Sequence, residues 1–297
     1  MMTDVLVIGG GPAGLSAALL LSRAGRSVIV FDSQKQRNLK AVKMHGYLSR
    51  DGISPADFLS AARSEIRRYN HAILFTEITS ITNCNTYFTA TDKDNNIYEA
   101  RKILIATGMQ DNIPEIGRID EFYGKSVFHC PYCDGYEVMG RKLAVVAHGK
   151  AAASLSSSLK TWSPSVTLFT NGPPGISRND VKKLKDKNII IYSDRIRRLE
   201  GCDGQLQGIL MEDGNFVECD AMFFSTGQKQ CSDLALRLGC MFSRNNHIIT
   251  DKRQRTSVRG VYAAGDATKD MSLVIVAAGE GAKAGVSINM ELQDEDN

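Results

Sequence analysis

Net charge is scarce in this chain: 36 Lys and Arg against 33 Asp and Glu leave +3 over 297 residues. Basic groups such as Arg195, Arg197 and Arg198 are scattered and read as solvated surface. Nucleic acid binding depends on a concentrated basic track, so this balance argues against it. Low-complexity segments and tandem repeats of fixed short period are also missing. The one long apolar stretch, Val5 to Ser22, follows Asp4 without a basic leader and is broken by Gly9–Gly14 and Pro12. It is read as neither a signal peptide nor a membrane span, which leaves the cytoplasm as the expected location. A disulfide framework is excluded by the cysteines, seven in number and irregularly spaced. Only Cys130 and Cys133 make a local motif. The other five are expected to be small buried or half-buried apolar residues.

What is present suits a soluble globular protein, with 43% hydrophobic and 23% charged residues and length for roughly two domains. DVLVIG (4–9), GLSAALLLSRAG (14–25) and SVIVFD (27–32) read as strand, helix and strand. A helix starts near Ser54 with Pro55 at its first position. Short polar strands at about 72–100 and the apolar run KILIATG (102–108) follow. A second alternating series comprises strand 141–149, helix 150–162, strand 165–172, helix 177–187 and strand 188–192. The chain then runs through AMFFSTG (221–227) and GVYAAGDA (260–267) to a terminal helix near 273–291. The expected fold is α/β: two doubly wound, Rossmann-like domains, the second inserted in the first.

Gly9, Gly11 and Gly14 form GxGxxG between a strand and a helix. Such a loop allows a tight turn, lets the backbone approach a pyrophosphate and packs the helix on the strand. The helix N-terminus then offers free N–H groups to phosphate. Asp32 closes the next strand where a ribose-binding acid is expected. The loop alone does not separate FAD from NAD. HCPYCDGYE (129–137) carries the cysteine pair and is equally open by itself. Zinc would need two further ligands, and no second pair exists. An inert packed pair and a redox dithiol both remain, since CxxC brings two sulfurs within disulfide range.

Ala106-Thr107-Gly108 after a strand, and Gly265-Asp266 at another strand end, complete a spaced set with the glycine loop. This set resembles that of the flavin-dependent pyridine-nucleotide–disulfide oxidoreductases. The order of FAD loop, CxxC–Asp and second nucleotide-fold unit resembles the thioredoxin reductase branch over essentially the whole chain. The resemblance implies FAD, held by residues 1–117 and 248–297, and an NAD(P)H-binding-like domain at 118–247 that carries the redox pair. It implies flavin contacts at Gly9, Gly11, Pro12, Ala13, Gly14, Asp32, Arg37, His45, Ile78, Ala106, Thr107, Gly108, Gly265 and Asp266. Val274 and Ile275 would lie at the helix end that faces the isoalloxazine. Cys133 is implied as the thiol facing the flavin, Cys130 as the interchange thiol, and Asp134 as the acid/base. Asp134–Gly135 is also a plain turn signal. A homodimer is implied by the resemblance only.

The match breaks in the second domain. Thioredoxin reductases carry GxGxxA/G there, and a basic cluster for the NADPH 2′-phosphate. This chain has Ala147-His148-Gly149-Lys150-Ala151-Ala152, and no arginine after the next strand until Arg178. Each missing charge-assisted bond removes roughly 1.5–3 kcal/mol, so NADPH binding is doubtful. Ser272-Leu273 replaces the usual Arg-Gln, and HGYLSRDG (45–52) replaces another loop. These departures resemble the gliotoxin- and holomycin-type dithiol oxidases. They imply electron flow from a small dithiol or peptide to Cys130–Cys133, then FAD, then oxygen. Two alternatives stand beside it: a reductase of thioredoxin or a similar protein, driven by NADPH or another donor, and a flavin-binding redox sensor without turnover.

Overall fold

A computed structural model describes residues 2–69, 71–268 and 271–297. The chain starts with β1 (Thr3–Ile8), α1 (Pro12–Arg23), β2 (Val28–Phe31), a 3-10 turn (Arg37–Lys40), α2 (Pro55–Arg67), β3 (Ala72–Leu74), β4 (Ile78–Asn83), β5 (Phe88–Asp92), β6 (Ile97–Ile105) and β7 (Met109–Asp111). Next come α3 (Ile119–Phe122), β8 (Val127–Phe128), α4 (Pro131–Asp134), β9 (Leu143–Ala147), α5 (Gly149–Leu159), β10 (Val166–Phe169), α6 (Arg178–Asp186) and β11 (Ile190–Tyr192). It ends with β12 (Ile196–Cys202), β13 (Gln205–Met211), β14 (Phe216–Glu218), β15 (Ala221–Ser225), β16 (Gln228–Gln230), α7 (Leu234–Arg237), β17 (Val261–Ala263) and α8 (Val274–Asp296).

Two compact units emerge. The first comprises residues 1–39, 46–110 and 229–297, and the second 40–45 and 111–228. The expected limits at 117/118 and 247/248 therefore shift. Leu234, Ala235 and Cys240 pack into the same core as Leu6, Ile8 and Ile105, which draws residues 229–247 into the first unit. Ile116 joins the core of the second unit, and Gly117 bridges to Arg198.

In the first unit the sheet order is β3-β2-β1-β6-β5-β4, with β17 also on β6. β1, β2, β3, β6 and β17 pair in parallel, and β4 and β5 extend the sheet antiparallel. Side chains of β1 alternate between faces, as the strand period of two demands. Val5 and Val7 meet α1 and α8, whereas Leu6 and Ile8 meet Phe88 and Leu234. The second unit has a fully parallel sheet, β11-β10-β9-β15-β8. Leu143 and Val145 face α5 and α6, through Ala152, Leu159 and Leu184. Ala144 and Val146 face the antiparallel meander β12-β13-β14, through Leu199 and Ile209. The sequence pattern does not announce that meander. Among the described residues, no helix is long and apolar enough to cross a membrane.

Candidate functional site

The glycine loop joins β1 to α1 where parallel strand ends converge. Gly9 N donates to Phe31 O (2.9 Å), and Ala106 N to Ile8 O (2.8 Å). Gly9 has φ +124°, and a Cβ there would lie 2.1 Å from Ala106 O; a Cβ on Gly14 would lie 1.9 Å from Gly9 O. No larger residue fits either position. Gly11 is different: nothing lies within 4 Å of its would-be Cβ. It is the N-cap of α1, with Pro12 at the first turn and no side-chain cap, so the helix start presents backbone N–H groups to an open space. Gly10, absent from the sequence-derived set, is equally constrained, because its Cβ would strike Asp32 Cγ at 2.3 Å.

Asp32 is buried at the end of β2. Its Oδ1 accepts from Gln34 N (2.8 Å) and Gln36 Nε2 (2.7 Å), and Oδ2 from Arg63 Nη2 (2.6 Å). The same elements bring the Gly265–Asp266 turn to this loop. Gly265, at φ +80°, packs against Ala13, and its N–H donates to Glu280 Oε2 (2.7 Å). Thr268 Oγ1 also donates to Glu280 (2.8 Å), so a buried carboxylate on α8 holds the turn. Arg37 Nη1 lies 3.1 Å from Asp266 Oδ2. Along α8, a Cβ on Gly281 would lie 1.9 Å from Ala13 O, and one on Gly285 2.9 Å from Ala17 O. Small residues four apart thus let α8 lie directly on α1. Val274 and Ile275 occupy the first turn of α8, which lacks a side-chain cap.

These residues fit a flavin dinucleotide on two counts. Gly11 leaves room for a pyrophosphate beside a helix start, and Thr107 Oγ1 is buried at the end of β6 with no hydrogen-bond partner. Ile78, another expected contact, turns its side chain into the core with Ile81 and Phe88. His45 falls in the second unit, and the other expected flavin positions fall in the first.

In the second unit Cys130 and Cys133 form a disulfide with S–S 2.09 Å. In this state the pair offers no thiolate to a metal. Pro131 starts the single-turn helix α4 and Cys130 caps it, with Cys133 N donating to Cys130 Sγ (3.2 Å). That donor would stabilise a thiolate on Cys130. Both cysteines and Asp134 are half-buried. Burial pushes the Asp134 carboxyl up to about 7; Glu137 adds to the rise and His45 opposes it. His45 Nε2 lies 3.3 Å from Glu137 Oε1.

Behind Cys130, His129 Nδ1 lies 3.7 Å from Asp111 Oδ2, and Tyr123 OH donates to the same oxygen (3.3 Å). Gln228 Nε2 donates to Asp111 Oδ1 (2.9 Å). Tyr132, between the cysteines, is 77% exposed and stands edge-on to Trp162, with ring centroids 5.3 Å apart. The remaining cysteines divide. Cys84 is half-buried and Cys219 and Cys240 are buried, but Cys202 and Cys231 are exposed, against the expectation of burial. Burial pushes the Cys219 thiol up to about 12, which makes it inert.

At the nucleotide-fold turn of the second unit the chain itself engages a backbone donor. Ala147 is fully buried at the end of β9, and α5 begins at Gly149. Gly149 N, a donor that would serve a pyrophosphate, already gives its hydrogen to Pro174 O (3.1 Å). The loop carrying Pro174 is pinned: Thr170 Oγ1 donates to Gly172 O (2.7 Å), Gly172 N to Ser193 O (2.9 Å), and Asn171 Oδ1 accepts from Ile196 N (2.8 Å).

The family model for pyridine nucleotide-disulphide oxidoreductases matches residues 3–281. Thioredoxin reductase tcpT of Claviceps purpurea is 33% identical over 89% of this chain and 86% of its own. A putative thioredoxin reductase TrxB from Bacillus anthracis superposes with TM-score 0.94 at 34% identity, covering 99% and 100% of the two chains. The crystal structure of HlmI gives TM-score 0.95 at 33% identity, over 99% and 94%. The family binds FAD, in agreement with the fit of the first unit. The chain belongs to the pyridine nucleotide-disulphide oxidoreductase family, as a flavin disulfide oxidoreductase of the thioredoxin reductase type with two Rossmann-like domains.

Proposed function

We propose that this enzyme is a dithiol oxidase: it closes a disulfide in a small-molecule or peptide dithiol and passes the electrons to oxygen. The observation that supports this direction is the Pro174 carbonyl on Gly149 N, joined with the absence of arginine at 170–177. A donor site for NADPH is what a reductase would need. The relatives named thioredoxin reductases favour a second reading, a reductase acting on a thioredoxin-like protein and driven by NADPH or another donor.

In the oxidase reading the first unit holds FAD through Gly9, Gly11, Pro12, Ala13, Gly14, Ala106, Thr107, Gly108, Arg37, Gly265 and Asp266, with Val274 and Ile275 at the α8 start. FAD supplies the two-electron acceptor that reoxidises the pair. A substrate thiolate attacks Cys130 Sγ and expels Cys133 as a thiolate. The second substrate thiolate attacks its partner sulfur in the mixed disulfide and expels Cys130. Two electrons move onto the pair and two protons leave the substrate. Asp134, with its carboxyl raised to about 7, accepts a proton as the carboxylate and releases it again near neutrality. The Cys133 N–H at Cys130 Sγ stabilises the departing thiolate. A cytoplasmic homodimer is part of the same proposal.

Mixing the enzyme anaerobically with NADPH, and separately with a dithiol, tests the direction. Bleaching by the dithiol but not by NADPH is expected; rapid bleaching by NADPH overturns it.

A further inference from the structure

Asp32 is expected from the sequence to bond a ribose, but its surroundings leave little room for that. Its side chain is 1% exposed, and its oxygens already take three donors, Gln34 N, Gln36 Nε2 and Arg63 Nη2, at 2.6–2.8 Å. Oδ2 is also wedged against the glycine loop, since a Cβ on Gly10 would lie 2.4 Å from it. A ribose hydroxyl needs an acceptor with a free lone pair within a ligand's reach. Asp32 is instead a buried hub that anchors a cation.

That cation is Arg63. Helix α2 carries it to the carboxyl ends of β2 and β3, the edge of a parallel sheet where dinucleotides lie. One arm of the guanidinium, Nη2, is tied to Asp32, and the group lies over the Phe75 ring, 5.4 Å from its centroid. Ion pair and ring together fix its plane. Nη1, the other arm, gives its hydrogens to no described residue and is open to solvent, on a side chain 18% exposed. Phe75 beside it is 46% exposed. The strand edge thus presents a pre-set cationic donor where the sequence suggests an acid.

We propose that Arg63 is a specificity-determining residue for the adenosine half of the flavin dinucleotide. Its free arm donates to ribose hydroxyl oxygen, and Asp32 is the positioning residue that holds it there. The contact distinguishes FAD from a flavin mononucleotide, which has no adenosine to offer.

The inference rests on the first unit as the flavin dinucleotide site, and the test keeps the two apart. Flavin is stripped from the purified full-length protein, and FAD and FMN are titrated back separately by fluorescence. The proteins compared are the parent, R63K, D32N and the D32N/R63K double variant. A parent that does not bind FAD would sink the reading of the site itself. R63K keeps a positive charge beside Asp32 but has no second arm. It is expected to bind FAD on the order of 10–100-fold more weakly, the loss of one charge-assisted bond. FMN affinity and the flavin-free melting temperature stay at the parent values. Unchanged FAD affinity in R63K overturns the proposal, and so does a loss matched by FMN or by a lower melting temperature. D32N releases the guanidinium and weakens FAD as well, and the double variant is no weaker than the poorer single one. Additive losses would mean that Asp32 touches the ribose itself, which overturns its positioning role. R63K, on a partly exposed side chain, keeps the test decisive if D32N does not fold.

Discussion

The close crossing of α1 and α8 is a packing claim that two single-atom changes on one helix can examine. Gly279 and Gly281 both lie inside α8, two residues apart. A Cβ on Gly279 meets nothing within 4 Å, whereas one on Gly281 falls 1.9 Å from Ala13 O, with Ala13 C and Cα at 2.7 and 2.8 Å. The obstructing atoms are backbone, so no side chain can swing aside. Ordinary contact begins at 3.4 Å, which leaves the helices roughly 1.5 Å too close. Gly→Ala gains about 0.5–1 kcal/mol of helix stability at either position. Only Gly281→Ala also meets the overpacking cost of about 1–3 kcal/mol. Since the gain is common, Gly281→Ala is less stable than Gly279→Ala by about 1–3 kcal/mol, or roughly 2–4 °C in Tm per kcal/mol. Thermal melts of the two variants, with flavin content per chain as a second readout, make the comparison. Displacing α8 also disturbs Ala13 and the Glu280 clamp on Gly265, so Gly281→Ala loses flavin as well. A Gly281→Ala protein that melts with or above Gly279→Ala would refute the reasoning.

Other consequences are as direct. In the oxidase direction Asp134 works as the carboxylate, so reduction by a dithiol speeds up as pH rises through about 7; Asp134→Asn loses this rise and about 10²–10⁴-fold in rate, read by stopped-flow bleaching. A reductase using Asp134 as an acid would show the reverse slope. Cys133→Ser leaves Cys130 able to form a mixed disulfide but unable to pass electrons on, so mass spectrometry after incubation with an oxidised thiol finds an adduct on Cys130 that the Cys130→Ser/Cys133→Ser protein lacks, above the labelling both share at the exposed Cys202 and Cys231. A Cys133→Ser protein without the Cys130 adduct would contradict the roles given to the pair. Lys102 is buried on β6 with Glu291 at 2.7 Å and Glu295 at 2.5 Å. Lys102→Ala removes two charge-assisted bonds, but Glu295 keeps Arg101 at 3.1 Å and Glu291 keeps the Tyr262 hydroxyl, so the cost is about 1.5–3 kcal/mol; denaturant melts measure it.

Much of this was readable in the chain because local chemistry agreed with the fold. The glycine loop, the apolar strands beside it and the Ser54-Pro55 start of α2 are local signals, and Ser54 Oγ does accept from Asp57 N (3.0 Å). The meander β12–β14 was not readable. Its register shifts between Ile196 and Arg198, and again between Glu200 and Gly201, which breaks the alternation that marks a strand. The α1–α8 crossing had a faint signal in Gly281 and Gly285, four apart in a helix that also carries the buried Glu280. The contact between His45 and Glu137 (3.3 Å) was not readable either, because the two residues lie far apart along the chain. The same holds for Pro174 on Gly149 N: the sequence shows a missing glycine and missing arginines, but not the carbonyl that accepts the Gly149 hydrogen.

The most direct measurement of the central claim is the electron balance in air. The holoenzyme, supplied with a small dithiol and no nicotinamide, should consume oxygen in proportion to disulfide formed, and lose this activity in Cys130→Ser and Cys133→Ser. Oxygen uptake absent with dithiols, together with fast NADPH-driven reduction of a protein disulfide, would contradict the account.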